Sequence, residues 1–126
     1  VKICDYITAK SKIESYLLSD TKNTELLDLY SEILINSNKP EEAKVILKKS
    51  ISIDPEKNGD KYMSLAQLSD QKQALKYFKK GIEVYKNSLS DKSNTNTDLY
   101  IALSNGYVAI SELYMNTSLW FDIKIN

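Results

Sequence analysis

The sequence contains no histidine, one cysteine, two prolines and three glycines in 126 residues. Without histidine, the commonest general base and metal ligand is missing. The single cysteine, Cys4, excludes an internal disulfide and fits a reducing compartment. We expect its thiol to act as a small buried hydrophobe rather than as a nucleophile. With so few glycines and prolines, helices are free to dominate, and no apolar run approaches the length of a membrane span.

Charge is balanced in this chain. Lys+Arg and Asp+Glu both number 17, so the formal net charge is zero and no attraction of the whole molecule to nucleic acid or membrane is indicated. The acidic residues are spread along helical patterns, with no Cys/His cluster at metal spacing and no glycine-rich phosphate loop. We therefore predict that the chain is not an enzyme and binds no cofactor and no metal.

The stretch from Thr24 to Pro55 contains two amphipathic helical patterns joined by a short polar turn. Pro40 suits a first helical position, and the pair Asp54–Pro55 stops the second helix because proline forces its predecessor out of the helical region. The residues that recur at helical spacing are Leu26, Leu27, Tyr30, Leu34, then Ala43, Ile46, Leu47, Ser50 and Ile53. An αα-hairpin of about 34 residues is the predicted unit.

This hairpin resembles the tetratricopeptide repeat (TPR). The positions that match the repeat are Leu27, Tyr30, Ser31 and Leu34 in its first helix (helix A), and Ala43, Leu47, Ser50 and Pro55 in and after its second (helix B). Leu27 and Ser31 stand where the family usually has an aromatic residue and a glycine. Ala43 is placed where the two helices cross, because only a small side chain lets their backbones approach to roughly 8–10 Å. A generic helical hairpin is the alternative.

The rest of the chain fits the same spacing. We predict an all-α fold, a TPR-like αα-hairpin solenoid of about two and a half to three repeats, as a single domain over residues 1–126. The predicted segments are a helix B of a partial repeat at 5–19, a repeat at 24–55, a shortened repeat at 60–87, a linker at 88–97 and a partial repeat at 98–126.

Several details of these segments are open to a structural check. The face of the first helix is predicted to hold Tyr6, Ala9, Ile13, Tyr16 and Leu17. Helix A of the second repeat should be about one turn short, because the interval from Ala66 to Ala74 is four residues shorter than its counterpart in the first repeat. Gly81 predicts a tight helix crossing. The last helix should end near Met115, after which the alternation in FDIKI is more typical of a strand.

Opposite charges are segregated between the two kinds of helix. The A helices carry Glu25, Asp28, Glu32, Asp60, Asp98 and Glu112 against a single Lys61. The second full B helix carries Lys72, Lys76, Lys79, Lys80 and Lys86 against Glu83. Since A helices line the concave side of stacked TPRs, we predict an acidic groove that accepts a Lys/Arg-rich segment. The alternative is that these are solvated helix faces with no ligand.

The partner-binding residues predicted from the inward positions of helix A are Glu25, Asp28, Glu32, Asn36, Asp60, Met63, Gln67, Asp98, Ile101 and Asn105. Met63 and Ile101 would supply apolar contact, and the carboxylates would steer and hydrogen-bond Lys and Arg. The same charges argue against clamping acidic chaperone tails, because Asp28 and Glu32 stand where that clamp needs Lys and Asn. The lysine-rich back has no arginines interleaved with aromatics, so we expect no direct nucleic-acid binding.

A closer resemblance is carried by KYMSLAQLSDQKQALKYFKKGIEVY and ALSNGYVAISELYM. Over residues 24–116 the chain is similar to the TPR family of ribosomal-protein assembly chaperones, to which the dedicated chaperone of large-subunit ribosomal protein four belongs. This resemblance implies a cytoplasmic and nuclear protein that shields a basic segment of a ribosomal protein. The alternative function is a structural scaffold that self-associates, as a homo-oligomer, or packs on other repeats through uncapped ends. The client, the oligomeric state and whether the chain is a fragment stay open.

Overall fold

A computed structural model describes residues 3–89 and 97–115, and within these ranges every regular element is an α-helix. The helices are α1 (Ile3–Ser19), α2 (Thr24–Asn36), α3 (Pro40–Ile53), α4 (Asp60–Gln67), α5 (Gln71–Leu89) and α6 (Thr97–Met115). The predicted all-α fold is confirmed. The predictions for the side chain of Cys4 and for the segment 116–126 lie outside the described part of the chain.

The chain divides into two compact units, Val1–Pro55 and Glu56–Asn126. The first unit contains α1, α2 and α3, and the second contains α4, α5 and α6. The boundary follows Pro55, the residue at which the sequence pattern ends the central repeat. A single domain over the whole chain stays a prediction.

Helices α2 and α3 form the hairpin that the sequence predicts. The side chain of Asn23 caps α2 by accepting a hydrogen bond from the Leu26 amide at 3.1 Å. Asn38 takes a φ of 60° in the turn, a left-handed conformation that asparagine tolerates better than most residues. Pro40 begins α3, which ends at Ile53. Local chain chemistry therefore sets both ends of the turn.

The core of this hairpin lies at the predicted crossing of α2 and α3. Ala43 and Leu34 are completely buried, and Leu27 and Leu47 are each 1% exposed. Two small polar residues, Ser31 and Ser50, are also buried at the crossing. Small and large side chains thus alternate across the contact, which is the arrangement that close helix packing requires.

Helix α1 packs against α2 with part of its predicted face. Ile13 is buried and Ala9 and Leu17 are half-buried, but Tyr16 is 59% exposed. The exposure of Tyr16 differs from the prediction that this residue shares the packed face of α1.

Helix α4 is short, as predicted: it has 8 residues, whereas α2 has 13. Gly81 of α5 marks a close approach between the two helices, since a Cβ atom built there would lie 2.6 Å from Met63 Cε and 3.1 Å from Tyr62 Cβ. The tight crossing predicted at this glycine is therefore present. Ala66, Ala74 and Phe78 form a buried cluster beside it.

The end of α5 and the end of α6 were both predicted from the sequence. Helix α5 continues to Leu89, so the first two residues of the predicted linker at 88–97 are helical. The last turn of α5 contains Lys86, a basic residue that suits a helix C-terminus. The preceding residues Val84 and Tyr85 are buried. Residues 90–96 of the linker lie outside the described ranges. Helix α6 is described as far as Met115, the last described residue, so the predicted helix end near this residue stays a prediction.

Candidate partner-binding surface

Helix α2 presents an acidic and partly apolar face, here called the α2 face. It consists of Glu25, Leu29, Glu32 and Asn36, which follow one another at helical spacing and are all exposed. Leu29, 46% exposed, lies between the two carboxylates. Neither α2 nor its face contains a lysine or arginine. The face therefore offers negative charge on both sides of an apolar contact, a composition suited to a Lys-containing segment.

Asp28 lies at the border of the α2 face and has a role inside the hairpin. Its carboxylate accepts a hydrogen bond of 2.6 Å from the hydroxyl of Ser50, a fully buried residue of α3. Ser31 donates to the main-chain oxygen of the same residue at 2.6 Å. Asp28 is half-buried as a result and ties α2 to α3. Its contribution to partner binding stays a prediction.

A polar network joins α2 to its neighbours beside the α2 face. The Tyr30 hydroxyl donates to Glu14 of α1 at 2.7 Å, and Lys10 lies 3.9 Å from Glu14 and 4.0 Å from Glu42 of α3. Burial and the hydrogen bond to Glu14 raise the pKa of Tyr30 to about 12. These contacts hold α1 to the hairpin. They use Lys10, so this cation does not neutralise the α2 face.

Asn36 lines a surface cleft of about 520 Å³ formed by the start of α1 and the α2–α3 turn. The apolar part of the lining comes from Tyr6 and Ile7, and the polar part from Lys10 and the turn residues 37–39. Asn36 thus lies where the α2 face meets this cleft, which could receive a side chain from a partner.

Helix α4 contributes three predicted residues that differ in what they contact. The carboxylate of Asp60 accepts a hydrogen bond from the Tyr85 hydroxyl. Met63 is half-buried, with its terminal methyl group packed near Gly81 and Gly106. Gln67 is exposed. Met63 therefore joins α4 to both other helices of its unit, and its availability to a partner stays a prediction.

Lys61 was expected to be the one basic side chain among the exposed charges of the A helices. It is instead only 2% exposed, so it contributes little positive charge to the surface of α4. A lysine can be buried to this extent because its long methylene stem is apolar. Exposed charge on α4 is thereby reduced to Asp60.

Helix α6 presents a second acidic face, here called the acidic α6 face. Asp98, Ile101, Asn105 and Glu112 follow one another along this side and are all exposed. As on α2, the helix contains two exposed carboxylates, an exposed aliphatic residue and an asparagine, and no lysine or arginine. Each unit of the chain thus has one helix of this composition.

Helix α5 has the opposite charge. Lys72, Lys76, Lys79 and Lys86 are exposed along one side. The only carboxylate of α5, Glu83, lies 3.5 Å from Lys80, which also binds Glu56 at 2.7 Å. That hydrogen bond to Glu56 raises the pKa of Lys80. The segregation of charge by helix, expected from the sequence, is thus present on the described helices.

The site residue that the sequence prediction missed is Leu29. It lies four positions after Glu25 and three before Glu32, so helical spacing alone places it between them. It was missed because a leucine in an amphipathic helix is normally assigned to the core, although its spacing from Glu25 and Glu32 places it on their side of α2.

Within the described ranges, no group of His, Cys, Asp or Glu side chains is arranged to hold a metal ion. None of the helices in these ranges combines the length and the apolar composition that crossing a bilayer demands.

Comparisons with known proteins agree on the fold. Residues 24–57 match a family model described as "Tetratricopeptide repeat", which covers roughly a quarter of the chain. No curated protein matches the chain. Among solved structures, "Crystal structure of MamA" is similar, with a TM-score of 0.61 and 20% identity over 90% of this chain and 67% of that chain. At this identity the likeness shows the fold alone, and nothing here points to the ribosomal-protein chaperones.

Tetratricopeptide repeats are protein-interaction modules, and the coarse prediction of a protein-binding module is supported by the match to residues 24–57. The predicted fold is confirmed by both comparisons. The chain is therefore an all-α protein with a TPR-like fold, and its α2–α3 hairpin matches the model of the tetratricopeptide repeat.

Proposed function

We propose that the chain is a non-catalytic protein-binding module that holds a basic segment of a partner protein against an acidic helix face. The observation that carries this proposal is the composition of α2 and α6. Both helices expose two carboxylates beside an aliphatic side chain, and neither contains a lysine or arginine. A basic segment would meet no like charge on either helix.

The α2 face shows how such a segment would bind. Glu25 and Glu32 are seven residues apart, about 10 Å along the helix axis. Two lysines of an extended segment that are three residues apart span a similar length. Leu29 lies between the carboxylates and would contact the methylene stems of those lysines or an apolar residue between them. Charge would then steer the partner, and apolar contact would add affinity.

A narrower form of the proposal concerns the identity of the client. The resemblance of residues 24–116 to ribosomal-protein assembly chaperones suggests a basic loop of a ribosomal protein, held until ribosome assembly. Such a client implies a cytoplasmic or nuclear protein. Co-purification of one basic ribosomal protein with the tagged chain from cell extract would support this form. Recovery of no ribosomal protein would contradict it and leave the wider proposal in place.

The wider proposal is tested by reversing the charge of the α2 face. The double variant Glu25→Lys/Glu32→Lys should weaken binding of a lysine-rich peptide at least tenfold, because two attractions become repulsions. Isothermal titration calorimetry measures the affinity, and circular dichroism verifies that the helices remain. Unchanged affinity would contradict the proposal.

A matched control separates the local effect from the change in net charge. Asp5→Lys/Glu41→Lys makes the same total change at two exposed residues outside α2 and α6. It should alter affinity far less than the α2 variant, because screening limits the reach of surface charges to about 10 Å at 0.1 M salt. Equal loss in both variants would mean that only net charge matters.

A structural scaffold is the second candidate function. Helix α1 favours it, because its apolar residues Ile7 and Leu18 are 64% and 84% exposed. Exposed large apolar side chains are a feature of association surfaces. Sedimentation equilibrium should then show self-association that persists in high salt. A monomer at all concentrations would exclude this candidate for the chain alone.

A further inference from the structure

We propose that one side of α6 binds a basic amphipathic helix of a partner protein, at the position where α3 covers α2 and α5 covers α4. This side, here called the uncovered stripe, consists of Tyr100, Ser104, Tyr107, Val108, Ser111 and Met115. The inference rests on the proposed function and deepens it, because it gives the bound segment a conformation and a place.

The three helix-A segments of the chain differ sharply at equivalent positions. In α2, Leu27, Ser31 and Leu34 are 1%, 3% and 0% exposed under α3. In α4, Tyr62, Leu65 and Ala66 are 3%, 0% and 1% exposed under α5. A helix A of this repeat therefore carries a side that a following helix normally covers.

At the same positions of α6, no helix among residues 3–89 and 97–115 provides this cover. Tyr100 is 58% exposed and Tyr107 46% exposed, and the small residue between them, Ser104, is also exposed. Val108 and Met115 continue the stripe with exposures of 53% and 83%. Large apolar side chains that are aligned and exposed in this way are uncommon on the solvent-facing surface of a protein, and they indicate a binding site.

The opposite side of α6 is packed, so the stripe is held in a fixed orientation on its unit. Gly106 is buried, and a Cβ atom built there would lie 3.0 Å from Ile82 Cγ1 and 3.2 Å from Met63 Cε. Ala109, Ile110 and Leu113 pack against the buried cluster of α4 and α5. A partner would therefore meet a preformed surface, which lowers the entropic cost of binding.

The small residues of the stripe indicate that the occupant is a helix. In the covered hairpin α2–α3, Ser31 lies in the crossing with Ala43 and Ser50 of the covering helix. Ser104 and Ser111 leave comparable space between the large residues of the stripe, into which the ridge of another helix fits. The occupant should likewise have small residues at its crossing point.

The charge around the stripe indicates that the occupant is basic. Asp98 and Glu112 border the stripe on the acidic α6 face, and α6 has no lysine. One cation lies beside the stripe on the described part of α5: the ammonium of Lys86 is 5.5 Å from the centre of the Tyr107 ring. The covering helix α5 has five lysines and one glutamate. A second α6 would instead bring two more carboxylates, which disfavours self-pairing.

A peptide with the sequence of α5, residues 71–89, is a suitable probe because it combines lysines with the small residues Ala74 and Gly81. The full chain is titrated with this labelled peptide, so any cover supplied by the chain's own residues is present. We expect saturable binding by fluorescence anisotropy and increased peptide helicity by circular dichroism. No binding would overturn the inference.

Variants of the chain locate the site. Ser104→Leu fills the space for the helix ridge and should weaken peptide binding at least tenfold, without affecting folding because the residue is exposed. Ser11→Leu, at an exposed serine of α1, is the matched control and should bind normally. Equal affinity of the Ser104→Leu variant and the control would overturn the inference.

Two further arms separate the possible outcomes. If Glu25→Lys/Glu32→Lys abolishes binding of a lysine-rich peptide while Ser104→Leu has no effect on the α5 peptide, the proposed function stands and the α6 inference fails. If sedimentation shows a dimer that Ser104→Leu dissociates and the α5 peptide does not, the occupant is a second copy, which also overturns the inference. Weaker binding after Ala74→Leu in the peptide would support a close helix crossing.

Discussion

At the scale of single residues, hydrogen bonds between helices join each unit internally. Tyr85 is the clearest case: it is 4% exposed on α5, and its hydroxyl donates to Asp60 at the start of α4. Burial and this bond raise the pKa of Tyr85. The residue therefore fixes the end of the short helix α4 to the long helix α5.

Tyr85→Phe should lower the free energy of unfolding by about 1.5–3 kcal/mol, the usual loss when a hydrogen bond to a charged group is removed. Urea denaturation followed by circular dichroism measures this change. Tyr100→Phe is the matched control, because the Tyr100 side chain is 58% exposed, and its effect should be close to zero. Equal stability of the Tyr85→Phe variant and the parent protein would show that the bond contributes nothing.

Tyr30 gives a prediction about pH. Its pKa is about 12 in the folded chain, above the value near 10 of an unfolded tyrosine, so the folded form holds the phenol proton more tightly. The stability from this group is fully present below about pH 10 and is lost as pH rises towards 12. Denaturation at a series of alkaline pH values should show this loss. The loss should be smaller in Tyr30→Phe, and an identical pH dependence would contradict the assignment.

The residue scale also shows a limit of the sequence. Asp28 and Leu29 are adjacent in the sequence but differ in exposure. The aspartate is half-buried and accepts a hydrogen bond from Ser50, while the leucine is exposed. Hydropathy ranks them the other way round. The partial burial of Asp28 accompanies its hydrogen bond with Ser50, which is 22 residues away in the sequence, so a local pattern cannot supply it.

At the scale of elements, small residues decide how closely paired helices approach. Ala43 is completely buried in the contact of α2 and α3, whereas Val45, two positions later, is 66% exposed. The pair allows one helix to be tested at a packed and at an open position with the same substituent.

Ala43→Leu should lower the free energy of unfolding by roughly 1–3 kcal/mol, because the added side-chain atoms have no space at the crossing. Val45→Leu is the control and should change stability by less than about 0.5 kcal/mol, as is usual for exposed positions. Thermal and urea denaturation both report the difference. Similar stability of the two variants would mean that the helix crossing is placed wrongly.

Helix ends were predictable where the chain carries a local signal. Pro40 begins α3, and Asp54–Pro55 follows its last residue Ile53, because proline restricts the backbone of its own and the preceding position. The end of α5 had no such signal. Its polar residues resembled a linker, yet the helix continues to Leu89, since a helix already packed through Val84 and Tyr85 extends at little cost.

At the scale of the whole molecule, the formal net charge of zero hides a separation of charge by helix. Carboxylates without lysine mark α2 and α6, and lysines mark α5. The sequence predicted this separation, because helical spacing assigns each charge to an element. Partners should therefore respond to the local surface and not to the total charge.

Binding of a lysine-rich peptide should weaken steeply with salt, because the Debye length falls from about 10 Å at 0.1 M to about 3 Å at 1 M. Titration calorimetry across this range measures the slope of affinity against ionic strength. A neutral peptide of the same length, with serine in place of each lysine, is the control and should show neither strong binding nor a slope. A flat response of the lysine-rich peptide would contradict electrostatic attraction.

The absence of lysine from α2 and α6 also has a chemical consequence. All 17 basic residues of the chain are lysines, and none lies within residues 23–38 or 93–123. Acetylation of every lysine would change the formal net charge from zero to −17 while leaving both acidic helices covalently unaltered. Amine-reactive dyes and tryptic cleavage would likewise act only outside these two stretches, so the residues of α2 and α6 themselves stay unmodified when the amines of the chain are labelled.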